Sequence, residues 1–152
     1  NMKHIAAALT ALSVVFAAGS VSAAGPVSSA QAVAMAGDAA KGKRVFNSCR
    51  ACHSLAAGVS KIGPSLNGII GREAGSWKKK NGKLFPFSSA MKKAGKGNAA
   101  KSIKPLVWTP ETLKKYIKAP KKFVPGNRMP FPGLKNAKKL DNLIAYLEKA
   151  TK

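Results

Sequence analysis

Apolar side chains recur every three to four residues in three segments of the chain, and this spacing predicts three α-helices. The first covers residues 39–49, with Asp38 as its N-cap and Gly42 on its apolar face. A glycine inside a helix costs about 1 kcal/mol relative to alanine. We therefore expect another backbone to pack closely against Gly42.

The other two predicted helices lie in the C-terminal third. Residues 108–120 begin with Thr109 as the N-cap and Pro110 at the first helical position, and Pro120 is expected to end the helix. Residues 136–150 place four large apolar side chains on one face: Leu140, Leu143, Ile144 and Leu147.

The remaining segments indicate loops. Residues 54–107 are rich in glycine, proline, serine and lysine, which predicts loop with at most short turns. Residues 123–134 hold Met129 among three prolines, a pattern that excludes a helix or a central strand and predicts a stiff loop. No strand pattern, repeat or alternation of strands and helices is visible. We expect one all-α domain over residues 37–152, with short helices, long loops and too little apolar surface to form a core unaided.

The N-terminal segment differs from the rest. A short basic start precedes residues 5–18, which are uncharged, and small residues follow up to Ala23. This order is typical of a secretory signal peptide, predicted over residues 1–23. A retained membrane anchor is the alternative, but the apolar run falls short of the ~20 residues that span a bilayer. Residues 24–36 indicate a flexible lead-in that a second cleavage would also remove, and export would place the protein in the bacterial periplasm.

The charge is strongly positive, with 27 Lys and Arg against 5 Asp and Glu and a formal net charge of +22. Such a field suits nucleic acid, an anionic membrane or an acidic protein. Export and the absence of a nucleic-acid recognition motif disfavour the first. We expect a monomer with acidic protein partners and no stable membrane insertion after signal cleavage.

All cysteines of the chain lie in one short motif. Cys49 and Cys52 are followed directly by His53, and the only other histidine is His4. A structural zinc site needs four ligands, which the body of the chain lacks. A redox pair of the thioredoxin type needs a strand–helix–strand context, which is also missing. The Cys-x-x-Cys-His motif instead predicts one haem c, attached covalently through both cysteines, with His53 as an iron ligand.

The second axial position has two methionine candidates in the body. His/Met ligation suits electron transfer, whereas an open or displaceable sixth site suits ligand binding or peroxidase-like chemistry. Met91 lies beside Phe87 in a loose segment and is expected to fill space in the core. Met129 is held among prolines and is the predicted ligand, with ordinary packing as its alternative.

Four segments in this order resemble class I c-type cytochromes of the mitochondrial and purple-bacterial photosynthetic type. They are "GDAAKGKRVFNSCRACH", "GPSLNGIIGR", "WTPETLKKYIKAPKKFVPGNRM" and "LIAYLEKATK". The resemblance implies the cytochrome c fold wrapped around one covalently bound haem. It also implies that the first and last helices cross, with Gly42 and Phe46 against Leu143 and Tyr146.

The resemblance further implies roles for individual residues around the haem. The Pro64 carbonyl would accept a hydrogen bond from His53, and Tyr116 would lie near the Met129 sulfur. Arg72 and Trp108 are similar to donors to a haem propionate, and Phe131 to an aromatic at the exposed haem edge. Arg72 as a solvated surface residue, and Trp108 and Tyr116 as plain core, are the alternatives. Asn127 departs from the family pattern, which has a threonine there.

With both axial positions filled, the protein would be a soluble electron carrier and not an enzyme. The alternative is a small haem protein with an open or displaceable sixth site. Four cations flank the expected haem edge and are candidates for docking, with general solubility as the alternative role: Lys121, Lys122, Arg128 and Lys135.

Overall fold

Short helices joined by long loops make up residues 37–152, the part of the chain that the computed structural model describes. The helices are α1 (Ala39–Phe46), α2 (Ser89–Lys96), α3 (Pro110–Lys118), α4 (Pro120–Phe123) and α5 (Ala137–Ala150), with a 3₁₀ turn at Ala99–Lys101. Strand pairing within 37–152 is limited to three isolated bridges. The all-α prediction is confirmed. The predicted signal peptide (1–23) and lead-in (24–36) lie outside the described residues.

Helix α1 begins where the sequence predicts and ends earlier. The Asp38 side chain accepts a hydrogen bond from the Lys41 backbone N–H at 3.0 Å, which confirms the N-cap. The helix stops at Phe46 and not at residue 49. Beyond it the chain continues in tighter turns, in which the backbone N–H of Cys49 donates to the Phe46 carbonyl at 2.8 Å. An apolar repeat does not distinguish these turns from another turn of α-helix.

Helices α1 and α5 cross at Gly42, as the resemblance implies. A Cβ atom there would overlap the Asn142 backbone and lie 2.7 Å from the Cβ of Tyr146. The rings of Phe46 and Tyr146 are in contact, with centroids 5.5 Å apart. The Asn142 side chain also accepts a hydrogen bond from the Asp38 backbone N–H at 2.8 Å. The close approach explains why glycine stands inside α1.

Helix α3 starts with a reciprocal cap. The Thr109 hydroxyl accepts from the Thr112 N–H at 3.2 Å, and the Thr112 hydroxyl accepts from the Thr109 N–H at 2.8 Å. The helix ends at Lys118, but Pro120 then starts α4, which the sequence pattern did not predict. Proline lacks an N–H and is favoured at the first position of a helix, so it can both end one helix and begin the next. The loop predicted over residues 123–134 is confirmed except at Phe123, which is the last residue of α4, and residues 124–136 carry no helix.

Helix α2 is a correction to the prediction of loop over residues 54–107. The Ser88 side chain caps it by accepting from the Met91 N–H at 3.1 Å. Its buried residues are Met91 and Gly95, and Gly95 packs directly on the backbone of Ala74. A face made of one methionine and small residues gives too weak an apolar stripe to be recognised from the sequence.

Helix α5 buries the predicted face. The exposed fractions of its four large apolar residues are 6% or less: Leu140, Leu143, Ile144 and Leu147. An ion pair between Lys114 and Asp141 connects α5 with α3. Within residues 37–152, none of the helices has the length and hydropathy that a membrane span requires.

Candidate functional site

A cavity of about 500 Å³ lies among α1, α2, α3, α5 and the loops between them. Its size is within the usual range for cofactor sites. The apolar part of the wall includes Leu113, Leu143 and Leu147. All nine site residues that the sequence analysis proposed line this cavity: Cys49, Cys52, His53, Pro64, Arg72, Trp108, Tyr116, Met129 and Phe131. The structure therefore brings the whole set to one place.

The two cysteines are free, half-buried thiols in the turns that follow α1. Burial raises the pKa of the Cys49 thiol above its ordinary value. Within residues 37–152, no three His, Cys, Asp or Glu side chains lie close enough together to hold a metal ion. The donor set is thus unlike a four-ligand zinc site.

The imidazole of His53 is held in one orientation. Its Nδ1 atom lies 2.8 Å from the Pro64 carbonyl oxygen, as the resemblance implies. A carbonyl can only accept, so Nδ1 carries the proton and Nε2 keeps its lone pair. Burial lowers the pKa of His53, while the bond to Pro64 opposes that shift and the nearby Arg72 charge adds to it. The backbone of Gly63 lies against the ring, where a Cβ atom would overlap it.

Asn127 fixes the loop that carries Met129. Its side chain is 4% exposed, and its amide nitrogen donates to the carbonyls of Pro120 at 2.9 Å and Val124 at 2.8 Å. Its amide oxygen accepts from the Met129 backbone N–H at 3.0 Å. From the sequence, Asn127 stands out only as a departure from the threonine of the family pattern. An asparagine two residues before the predicted ligand is the pattern of an Asx turn, and this signal would have indicated the role.

Tyr116 and Trp108 form the aromatic part of the wall. Both are buried, and their ring centroids lie 5.0 Å apart. The Tyr116 hydroxyl oxygen lies 3.9 Å from the Met129 sulfur, which is the proximity that the resemblance implies. Burial raises the pKa of Tyr116 to about 12, so its hydroxyl remains protonated at neutral pH. The propionate contact expected for Trp108 stays a prediction.

Arg72 is half-buried and is hydrogen-bonded to the backbone, so it is not a freely solvated surface residue. Its guanidinium donates to the carbonyls of Ser65 at 2.9 Å and Asn67 at 3.1 Å. Burial lowers the pKa of Arg72 to about 10, so it is charged at neutral pH. Its predicted contact with a haem propionate stays a prediction, as does the position of the half-buried Phe131 at a haem edge.

Met91 belongs to the core, as expected, although it also reaches the cavity wall. It is 8% exposed and packs in a cluster with Trp108 and Leu113. Met91 lies in helix α2, whereas Met129 lies in a loop whose backbone is hydrogen-bonded to Asn127. The two methionines therefore form a natural pair for comparison.

Two of the four predicted docking cations also bind the loops. Lys121 donates to the Asn127 carbonyl at 2.6 Å, and Arg128 donates to the Pro86 carbonyl at 3.1 Å and the Phe87 carbonyl at 2.9 Å. All four are exposed, including Lys122 and Lys135.

Residues 39–151 match the family model described as cytochrome c. The chain belongs to the cytochrome c family. It is 49% identical over 112 residues to cytochrome c2 of Agrobacterium tumefaciens (strain II Chrys), a match covering 73% of this chain and 90% of the relative. It is 39% identical over 118 residues to cytochrome c2 of Blastochloris viridis, covering 77% and 81%. The solved structure of cytochrome cH from Methylobacterium extorquens is similar, with 39% identity, a TM-score of 0.60 and coverage of 74% and 99%.

Family membership confirms a class I c-type cytochrome with the cytochrome c fold. It also confirms the predicted haem c, for which Cys49 and Cys52 supply the two thiols. The cavity fits that group, because thiols, an imidazole and a thioether reach one largely apolar space. The protein is therefore a haem-based electron carrier, which agrees with the prediction that it is not an enzyme.

Proposed function

We propose that this cytochrome carries electrons in the bacterial periplasm, with His53 and Met129 as the axial ligands of its haem iron. The proposal rests on one observation: the side chains of His53 and Met129 both line the same cavity, and each is held in place by a neighbouring residue. Pro64 orients the imidazole of His53, and Asn127 orients the loop of Met129. When bound, the haem supplies a one-electron couple between Fe(II) and Fe(III).

The residues around the two ligands keep them in place. The hydrogen bond from His53 Nδ1 to Pro64 selects the tautomer and makes Nε2 a better donor to a metal. The Asn127 amide and the prolines of the loop restrict the movement of Met129. A thioether held in this way would occupy the position that a substrate needs. This arrangement favours electron transfer over the alternative of an open or displaceable sixth site.

The proposed location rests on the sequence before residue 37. Residues 1–23 follow the order of a signal peptide: a basic start, an uncharged apolar run and small residues. Two of the relatives named above are cytochromes c2 of bacteria. An exported bacterial protein with this motif would acquire its haem and function in the periplasm.

The proposed partners are acidic redox proteins that a monomer meets one at a time. The net charge of +22 would attract them and raise the association rate. All four cations of the predicted docking set are exposed, but Lys121 and Arg128 also donate to loop carbonyls. Lys122 and Lys135 are therefore the members to substitute first. Substituting these two should alter docking with little effect on the fold.

The ligation is tested by the weak near-infrared absorption band that a methionine sulfur bound to ferric haem iron produces. Met129→Leu should abolish the band in the purified holoprotein. Met91→Leu is the matched control, since Met91 is a buried methionine on the same cavity, and it should keep the band. A native protein without the band, or a band that survives Met129→Leu, would refute the ligand assignment. Rapid binding of cyanide or carbon monoxide by the native protein would favour the open-site alternative.

A further inference from the structure

The hydroxyl hydrogen of Tyr116 can be donated to either of two acceptors, one of which is the sulfur of the proposed methionine ligand. The Tyr116 oxygen lies 3.4 Å from the side-chain oxygen of Asn127 and 3.9 Å from the sulfur of Met129. A phenol has a single hydrogen to donate, so the two acceptors compete for it. Tyr116 and Asn127 are 8% and 4% exposed, which leaves little access for water to replace either partner.

The orientation of the Asn127 amide follows from its other partners. The carbonyls of Pro120 and Val124 can only accept, so the atom facing them is the amide nitrogen. The backbone N–H of Met129 can only donate, so the atom facing it is the amide oxygen. Turning the amide over would break all three bonds. The oxygen is therefore held toward Tyr116, which must act as the donor.

The amide oxygen is the stronger competitor for this hydrogen. A thioether sulfur is a weak acceptor, whereas an amide oxygen is a good one, and here the oxygen is also the closer atom. A hydrogen bond to the sulfur would withdraw electron density that Met129 otherwise offers to the iron. Hydrogen bonds to an axial ligand are one of the means by which a protein sets a haem potential.

We propose that Asn127 lowers the reduction potential of this cytochrome by keeping the Tyr116 hydrogen away from the Met129 sulfur. The inference rests on the proposed His/Met ligation. Asn127 is a positioning residue in this scheme, since it acts through Tyr116. Removing its amide oxygen should transfer the hydrogen bond to the sulfur and favour the ferrous form.

The test is a double-mutant cycle read by spectroelectrochemical titration of the holoprotein. Asn127→Ala should shift the ferrous-to-ferric ratio at a given potential roughly threefold, the scale of one weak hydrogen bond, or ~30 mV for a one-electron couple. In the Tyr116→Phe background the same substitution should produce no shift, because no hydrogen remains to be redirected. Asn127→Leu, whose side chain is similar in size and has no acceptor, repeats the cycle. Asn81→Ala, at an exposed asparagine, is the control and should leave the potential unchanged.

Two results would overturn the inference. Equal shifts in both backgrounds would show that Asn127 acts by packing the loop, and the absence of a shift in the native background would show that it does not act on the potential. The near-infrared band separates this from the ligation itself. A native protein without the band refutes the proposed ligand, whereas a native protein with the band and an additive cycle refutes only the role of Asn127.

A second measurement leaves Asn127 unchanged, so it remains valid if the Asn127 variants lose the structure of the loop. In ¹³C-labelled ferrous holoprotein, Tyr116→Phe should move the side-chain carbonyl resonance of Asn127 upfield, because that oxygen loses a hydrogen-bond donor. An unchanged resonance would mean that Tyr116 does not donate to Asn127, and the proposal would be wrong.

Discussion

Replacing Gly42 by alanine should destabilise the protein, although alanine is the better helix former. Gly42 lies inside α1, where alanine normally gains about 1 kcal/mol. Here the added Cβ would overlap the backbone of Asn142 and approach the Cβ of Tyr146 to 2.7 Å. Neither neighbour is the end of a flexible side chain. Helices α1 and α5 must therefore move apart.

The cost can be worked from the residues that this movement exposes. Phe46, Leu143 and Leu147 form the cluster at the crossing, with exposed fractions of 6%, 1% and 3%. Full burial of such side chains contributes about 1.5–3 kcal/mol each, and a gap of 0.5–1 Å forfeits about a quarter to a half of the contact energy. The loss is about 1–4 kcal/mol. After the gain in helix propensity, the net destabilisation is about 2 kcal/mol.

The assay is thermal and denaturant unfolding of the holoprotein. For a domain of this size, about 2 kcal/mol lowers Tm by roughly 8 °C. Lys43→Ala is the matched control, because Lys43 is the next residue in α1 and is exposed. It should change stability by less than about 0.5 kcal/mol. A Gly42→Ala protein as stable as the native one, or more stable, would refute the close-contact explanation.

Three further perturbations have defined outcomes. The Lys41 backbone N–H and amine lower the pKa of Asp38 below 3.8. The contribution of Asp38 to stability is therefore complete above the unfolded pKa and is lost as the pH falls through the lowered value. Asp38→Asn should keep the cap but reduce the pH dependence of stability in this range, and an unchanged acid-unfolding curve would contradict this. Gly63→Ala would place a Cβ 2.7 Å from Nδ1 of His53. This overlap should lower the stability of the holoprotein by about 1–3 kcal/mol. If chemical unfolding showed native stability, the packing of Gly63 on the His53 ring would be contradicted. Electron-transfer rates with an acidic partner should fall steeply between 0.01 and 1 M salt, over which the screening length drops from about 30 to 3 Å, and a flat stopped-flow profile would argue against electrostatic steering.

The sequence was sufficient to predict those features of the fold and the site that depend on a single physical requirement. The buried face of α5 was predictable because four large apolar side chains repeat at helical spacing. A close approach of another backbone to Gly42 was predictable because a glycine is costly inside a helix unless close packing requires it, and the resemblance supplied α5 as the partner. The cavity set was predictable because the Cys-x-x-Cys-His motif admits few chemistries, and the resemblance supplied the rest of its members.

Other features depend on contacts that no local pattern reveals. Helix α2 is stabilised by the approach of Gly95 to the distant backbone of Ala74, so its own residues carry only a weak stripe. Pro120 begins α4 as well as following α3, because its missing N–H suits either role. Asn127 acts through carbonyls and a phenol brought together by the loop, and only the folded geometry shows which of its atoms faces which partner.

A nitrogen of His53 and the sulfur of Met129 are the proposed axial ligands of the haem iron. X-ray absorption at the iron edge of the ferric holoprotein tests this ligation most directly, since it reports the type and number of atoms bound to the metal. His/Met ligation predicts one sulfur with five nitrogens in the native protein and in Met91→Leu, and loss of the sulfur in Met129→Leu. An iron without a sulfur ligand in the native protein, or a sulfur that remains in Met129→Leu, would contradict it.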